Sequence, residues 1–180
     1  YDPMCGSGTL LFEALMHFCR IPSAYFRETF GFQYMPDFDK GIWSRVKKET
    51  NRDIRPLPKG LIAGSDSSHT ALETAKTNSR NLPSGRNVVL SKRAFEAIDS
   101  LENTTIVCNP PYGLRMKNKK DMGEFMKTFG DFLKQRCTGS TAYIYFGNRE
   151  LIKKIGLRSA WKKPLKNGPL DGRLVKYELY

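Results

Sequence analysis

The stretch "VCNPPYG", residues 107–113, places an amide side chain, two prolines and an aromatic ring directly behind a short apolar run. Proline fixes φ and has no N–H to donate, so Pro110 and Pro111 end strand pairing and leave nearby carbonyl oxygens unclaimed by the sheet. The Asn109 side-chain oxygen and the Pro110 main-chain oxygen are then acceptors in search of donors, and the two hydrogens of a nucleobase amino group fit them. Such an amine is a poor nucleophile because its lone pair is delocalised into the ring. Gripped by two acceptors, the nitrogen pyramidalises and aims its lone pair at an electrophile, and the grip strengthens as positive charge develops. Tyr112 supplies a face for the base, and stacking of that kind is worth about 1–3 kcal/mol per base. A base held by edge and face has to be single-stranded or flipped out of its helix. The chemistry needs no metal.

A second constellation lies at the start of the chain. In "DPMCGSGT", residues 2–9, Gly6 and Gly8 let the backbone approach a ligand closely, and the helix that follows offers free N–H groups. A glycine turn between strand and helix is the nucleotide-binding corner of doubly wound sheets. No Gly-Lys-Ser/Thr follows, which excludes a P-loop, and Leu11 stands where a dinucleotide fingerprint has its third glycine. Asp2 at the strand end would repel a pyrophosphate and attract an ammonium group. S-adenosylmethionine, which joins an amino acid, a sulfonium and an adenosine, meets these demands, with Asp2, Pro3, Cys5, Gly6, Ser7, Gly8 and Thr9 as its expected contacts. "GSD", residues 64–66, brings Asp66 to the end of the next strand, where a carboxylate accepts hydrogen bonds from ribose hydroxyls. Asp66 or Ser67 can also cap the next helix. Asn109 would border the cofactor as well as the base. After the third strand Phe95 is placed to pack on the adenine, while an acidic reader of the adenine amine is absent or displaced to Glu96 or Asp99.

Strand and helix signals alternate along the chain, which implies an α/β sheet with crossover helices. Residues 1–19 read as the tail of a strand, the glycine turn and a helix with Leu10, Leu11, Ala14, Leu15 and Phe18 as its core stripe. Residues 20–58 form a polar, aromatic insertion of the lid or surface-excursion type, with a helix over 39–50. "GLIAGSD" is a buried strand and "SSHTALETAKTNSRNL" a helix opened by a serine cap. "NVVLSK" and "TTIVCN" are strands, "MGEFMKTFGDFLKQR" is a helix and "TAYIYFG" a strand. A helical turn near Glu150 precedes two strand-like pieces, "SAWKKPL" and "GRLVKYELY", joined by "KNGP". The first strand should be five or six residues long, so its abrupt start at Tyr1 implies a truncated strand and a fragment of a longer polypeptide.

Composition narrows the partners. The chain has 180 residues and a net charge of +12, from 30 basic and 18 acidic residues, which favours a polyanion. Cys5, Cys19, Cys108 and Cys137 are dispersed with no CxxC pair and two histidines in the chain, the pattern of reduced cytoplasmic thiols rather than zinc ligands. His17 and His69 belong on helix faces, and Cys5 and Cys108 are packing residues near the pocket.

Taken together, "DPMCGSGTLLFEA", "GSD", "NPPYG" and the tail "KPLKNGPLDGRLVKYEL" resemble the class I, S-adenosylmethionine-dependent RNA methylases linked to THUMP domains. Among these, the chain is most similar to bacterial large-subunit ribosomal RNA guanine N2-methyltransferases. The resemblance implies a Rossmann-like fold with a mostly parallel seven-stranded sheet and an antiparallel C-terminal hairpin. It places the cofactor over Gly6 and Gly8 and the target base over Asn109, Pro110, Pro111 and Tyr112. It also implies an upstream RNA-binding region of the THUMP type, which residues 1–180 do not contain. Basic residues gather in the insertion (Lys40, Arg45, Lys47, Lys48, Arg52, Arg55, Lys59), behind the base motif (Arg115, Lys117, Lys119, Lys120) and in the tail (Lys153, Lys154, Arg158, Lys162, Lys163, Lys166). The middle group is nearest the chemistry and is the expected set of RNA phosphate contacts. An adenine N6-methylase, or a non-catalytic RNA-binding module of the same fold, remains open at this stage.

Overall fold

The computed structural model describes residues 1–111 and 119–180, the latter with side chains from Met122 onward. Tyr112, Arg115 and Lys117 lie outside the described residues, and of Lys119 and Lys120 only the backbone is described. Helix α1 (Thr9–Cys19) follows the glycine turn, and α2 (Lys40–Arg52) lies in the insertion. Strand β1 (Ala63–Asp66), helix α3 (His69–Asn81), β2 (Val89–Lys92) and β3 (Thr105–Cys108) come next. Helix α4 (Lys119–Arg136), β4 (Thr141–Phe146), β5 (Trp161–Asn167) and β6 (Leu170–Glu178) complete the chain.

The pairing is mixed. β1 and β2 run parallel, β3 and β4 run parallel, and β6 lies antiparallel between β4 and β5. A two-residue stub joins these groups. Asp2 bridges Gly64 in parallel fashion, donating to the Ala63 oxygen at 3.1 Å and accepting from the Ser65 N–H at 2.9 Å. On its other side the Tyr1 carbonyl accepts from the Val107 N–H at 2.9 Å. The order across the fold is therefore β2, β1, stub, β3, β4, β6, β5, with the carboxyl ends of β1, the stub and β3 on one edge.

Two apolar clusters hold the layers. On one side α4 buries Met126, Phe129 and Leu133 against Ile106, Ala142, Ile144 and Val175 of the sheet. On the other, α1 packs Leu11, Phe12, Leu15 and Cys19 with Ile62, Ala75 and Val88. The buried stripe of α1 differs from the expected one: Ala14 is exposed and Leu10 and Phe18 are half-buried, while Phe12 and Cys19 are interior. The cause is the left-handed Gly8 (φ 87°) that opens the helix and sets its rotational phase. A side chain at Gly8 would collide with the Phe12 ring.

The insertion is an excursion tied down at both ends. Ile21 and Leu57 are buried, but no residue of α2 is. Arg55 closes it, donating from Nε to the Phe18 carbonyl at 2.6 Å and laying its guanidinium 4.7 Å from the Phe18 ring. That contact satisfies a carbonyl at the end of α1 that the helix itself leaves free. Phe30, Phe32, Phe38 and Trp43 form a local aromatic cluster. Among the described residues no helix is long and apolar enough to cross a membrane.

Candidate active site

The glycine corner is built from main-chain bonds around two carboxylates. The Gly8 N–H donates to the Cys5 carbonyl at 2.8 Å and the Cys5 N–H to the Ser65 carbonyl at 2.9 Å, so the turn is stapled to β1. Asp66, at the end of that strand, accepts from the Gly6 N–H through Oδ2 and from the Ser68 N–H through Oδ1, both at 2.8 Å. One carboxylate therefore fixes the glycine turn and the entry to α3 together. Capping of α3 falls to Ser68, whose hydroxyl accepts from the Ala71 N–H at 3.3 Å, while Ser67 is exposed. Asn78, which sequence reasoning overlooked, reaches back from α3 and donates to the Ser7 carbonyl at 3.1 Å. A lone asparagine inside a helix carries no signal of such a long-range bond.

Asp2 is 2% exposed, and its Oδ1 accepts from the Met4 N–H at 3.0 Å. Burial pushes its carboxyl up from 3.8 to about 6, against the opposing pull of the Met4 hydrogen bond. A cationic ligand beside it would relieve that cost, which fits an ammonium-bearing cofactor. Cys108 is buried next to Asp2, and burial raises its thiol well above the usual range; Cys5 is pushed up to about 12. Neither thiol is a nucleophile, as their packing role requires. Gly64 is a second tight position, where an added Cβ would press on Leu11, the Asp2 carbonyl and Cys5.

A prediction follows from the Asp2 burial. Between about pH 4 and 6 the folded protein holds a proton that the unfolded chain has released, so stability falls as pH rises through this window. The rise from 3.8 to about 6 corresponds to about 3 kcal/mol. Without cofactor, Asp2→Asn is expected to be more stable than the parent by about 2–3 kcal/mol at pH 8, with the gap closing below about pH 4. Urea unfolding at the two pH values checks this; an equal gap at both would show that the carboxyl is not the cause.

Asn109 stands at the end of β3, exposed, and its amide makes no hydrogen bond to another described residue. Pro110 is buried and Pro111 exposed. Because the stub lies between β1 and β3, this strand end neighbours the one that leads into the glycine turn. A cavity of 380 Å³ lies beside the β3 end, with Leu10 of α1 on one wall and Asn109 on another. Thr9 and Ser7 are exposed at the corner, Gly6 is half-buried, and Pro3, Cys5 and Gly8 are buried. Phe95 is a correction. Its ring is 2% exposed and packs edge-on against Phe125 and Phe129, so it belongs to the core and offers no face to an adenine. Glu96 and Asp99, the other residues weighed there, are both exposed.

Comparison with known proteins gives this geometry its relatives. The provisionally named RNA methyltransferase slr0064 of Synechocystis sp. (strain ATCC 27184 / PCC 6803 / Kazusa) is 38% identical over 181 residues, covering 100% of this chain and 47% of that protein. The ribosomal RNA large subunit methyltransferase K/L of Aliivibrio salmonicida (strain LFI1238) is 32% identical over 175 residues, covering 94% of this chain and 25% of its own length. The chain thus spans about half the length of the first relative and a quarter of the second. Among solved structures, SMU.472, provisionally named a methyltransferase and complexed with SAH, superposes with a TM-score of 0.88 at 26% identity, over 99% of this chain and 47% of that one. Residues 1–176 match UPF0020, the RMKL-like, methyltransferase domain. The α/β layers, the glycine corner and the asparagine-proline edge are accordingly those of a member of the UPF0020 family of RMKL-like methyltransferase domains.

Proposed function

We propose that the chain carries an S-adenosylmethionine-dependent transfer of a methyl group to an exocyclic base amine in RNA, with guanine N2 of large-subunit ribosomal RNA as the target. The observation that carries this reading is a cavity lined by both Leu10, two residues beyond Gly8, and Asn109. The names of the K/L relatives support ribosomal RNA as the substrate class, and the net charge of +12 suits it. The stub then counts as the first of seven strands, and Asp2 to Thr9 with Asp66 and Ser67 form the cofactor corner. Held there, S-adenosylmethionine would supply an electrophilic methyl for the base nitrogen, with the carbon–sulfur electron pair left on sulfur and the displaced amine proton released to solvent. Asn109 and the Pro110 carbonyl orient the amine and stabilise its growing positive charge. Tyr112 stacks on the base, and Arg115, Lys117, Lys119 and Lys120 take phosphates.

Incubation with labelled S-adenosylmethionine and unmodified large-subunit ribosomal RNA, followed by nucleoside analysis, tests this. N2-methylguanosine is the expected product. N6-methyladenosine would overturn the choice of base, and calorimetry showing no affinity for S-adenosylhomocysteine would overturn the enzymatic reading.

A further inference from the structure

The sheet face that adjoins Asn109 is set by the register of the C-terminal hairpin. β6 runs antiparallel to β4, with Phe146 opposite Arg173, so the turn between Asn167 and Leu170 returns to the edge where β3 ends in Asn109. Side chains alternate across the pleat. On one face Ile106, Ile144 and Val175 enter the α4 core; on the other, Val107, Tyr143, Tyr145 and Leu174 look towards α1. β5 extends this second face with Trp161, Lys163, Leu165 and Asn167, because Lys163 pairs with Leu174 and Leu165 with Gly172. Gly172 has a reason to be glycine: any Cβ there would run into the Tyr145 ring. Its bare backbone lets that ring lie across the hairpin and form the floor of the 380 Å³ cavity.

The result is a strip of aromatic and aliphatic side chains that starts at Asn109 and ends at Trp161. Tyr143 and Trp161 have ring centroids 6.0 Å apart, and the Lys163 ammonium sits 4.9 Å from the Trp161 ring. Leu165 is 46% exposed, Lys163 is exposed on the same face, and the exposed Lys166 lines the cavity beside it. Apolar faces interleaved with cations are what an unpaired nucleic-acid strand needs: rings for bases and ammonium groups for phosphates. A dry protein partner would be a poorer match to so many lysines.

Building on the proposed function, we infer that the C-terminal hairpin is the second half of the RNA site. The extruded base enters the cavity between Asn109 and the wall of Tyr145, Leu165 and Leu174. A neighbouring nucleotide stacks on Trp161, and Lys163 and Lys166 hold the phosphates. The tail is thus a substrate-positioning element and not only the sheet's closing edge.

The test uses the protein's own fluorescence. Trp43 and Trp161 are the two tryptophans of the chain, so Trp43→Phe leaves Trp161 as the single reporter. In the presence of S-adenosylhomocysteine, an unpaired guanine-containing RNA oligonucleotide should quench Trp161 saturably, and its duplex should do so far less. Leu165→Glu and Lys163→Glu should each weaken that binding about tenfold or more, with affinity for S-adenosylhomocysteine unchanged within about twofold. Both positions are on an edge strand and outside the core, so folding should survive. Absence of saturable quenching in the parent, or RNA affinity equal to the parent's in both variants, overturns the inference. So does a concentration-dependent Trp161 signal without RNA that tracks dimer formation, which would assign the face to a second copy of the chain. If S-adenosylhomocysteine does not bind at all, the proposed function fails, whereas the Trp161 titration still decides whether the hairpin takes RNA.

Discussion

Asn109→Ala is expected to lower kcat for methyl transfer by about 10²–10³-fold, equivalent to about 3–4 kcal/mol of transition-state stabilisation. The side chain is exposed and bonds to no other described residue, so among the described residues its removal strands no donor. Loss of activity in a fully folded protein is then attributable to the missing acceptor. The effect should fall on kcat more than on KM, because the bond to the amine strengthens as charge develops on nitrogen. Asn109→Asp retains an acceptor oxygen and should recover part of the rate. Single-turnover transfer with both variants, alongside calorimetric titration of S-adenosylhomocysteine, separates chemistry from binding. Normal turnover in the alanine variant would remove the base-gripping mechanism.

Asp66→Ala should weaken S-adenosylhomocysteine binding by about 30–100-fold, or about 2–3 kcal/mol. Its two oxygens hold the Gly6 and Ser68 N–H groups at 2.8 Å each, so deletion frees the glycine turn and the start of α3 at once. Asp66→Asn tells the two roles apart. The amide keeps one acceptor for the backbone but loses the charge and one oxygen, so a variant with near-normal thermal stability and poor cofactor affinity would point to direct contact with ribose. If both variants bind as the parent does, the corner's organisation does not depend on Asp66.

Sequence periodicity was informative wherever local chemistry dictates structure. The serine cap of α3, the β-branched run of β3 and the Asn-Gly-Pro turn before β6 all state their geometry in a few adjacent residues. What escaped was decided by contacts distant in sequence. Leu10 and Ala14 read as core residues because helical spacing has no absolute phase; the left-handed Gly8 and the packing of Phe12 supply it. Phe95 looked available to an adenine because the sequence does not show Phe125 and Phe129 arriving from α4 to enclose it. Asp66 is legible as a strand-end carboxylate, but its two backbone bonds required the fold. The hairpin wall depends on a register that brings Trp161, Lys163 and Leu165 to the face beside Asn109, which the strand-like piece "SAWKKPL" does not state.

The seam between the two halves of the sheet has a mechanical meaning. Tyr1 and Met4 pack with the cluster under β3 and β4, whereas Cys5 belongs to the cluster under α1, so the stub is one link between the two clusters, beside the Phe95 and Ile98 segment that runs from β2 into the α4 core. Under the proposed function, one cluster supports the corner for the methyl donor and the other supports the strand end that receives the base. Transfer across a gap is acutely sensitive to alignment, and a misplacement of about 1 Å can cost about 10²-fold in rate. On that proposal, Tyr1 and Asp2 act as a spacer that helps to set the reach of the reaction through their pairing with β1 and β3.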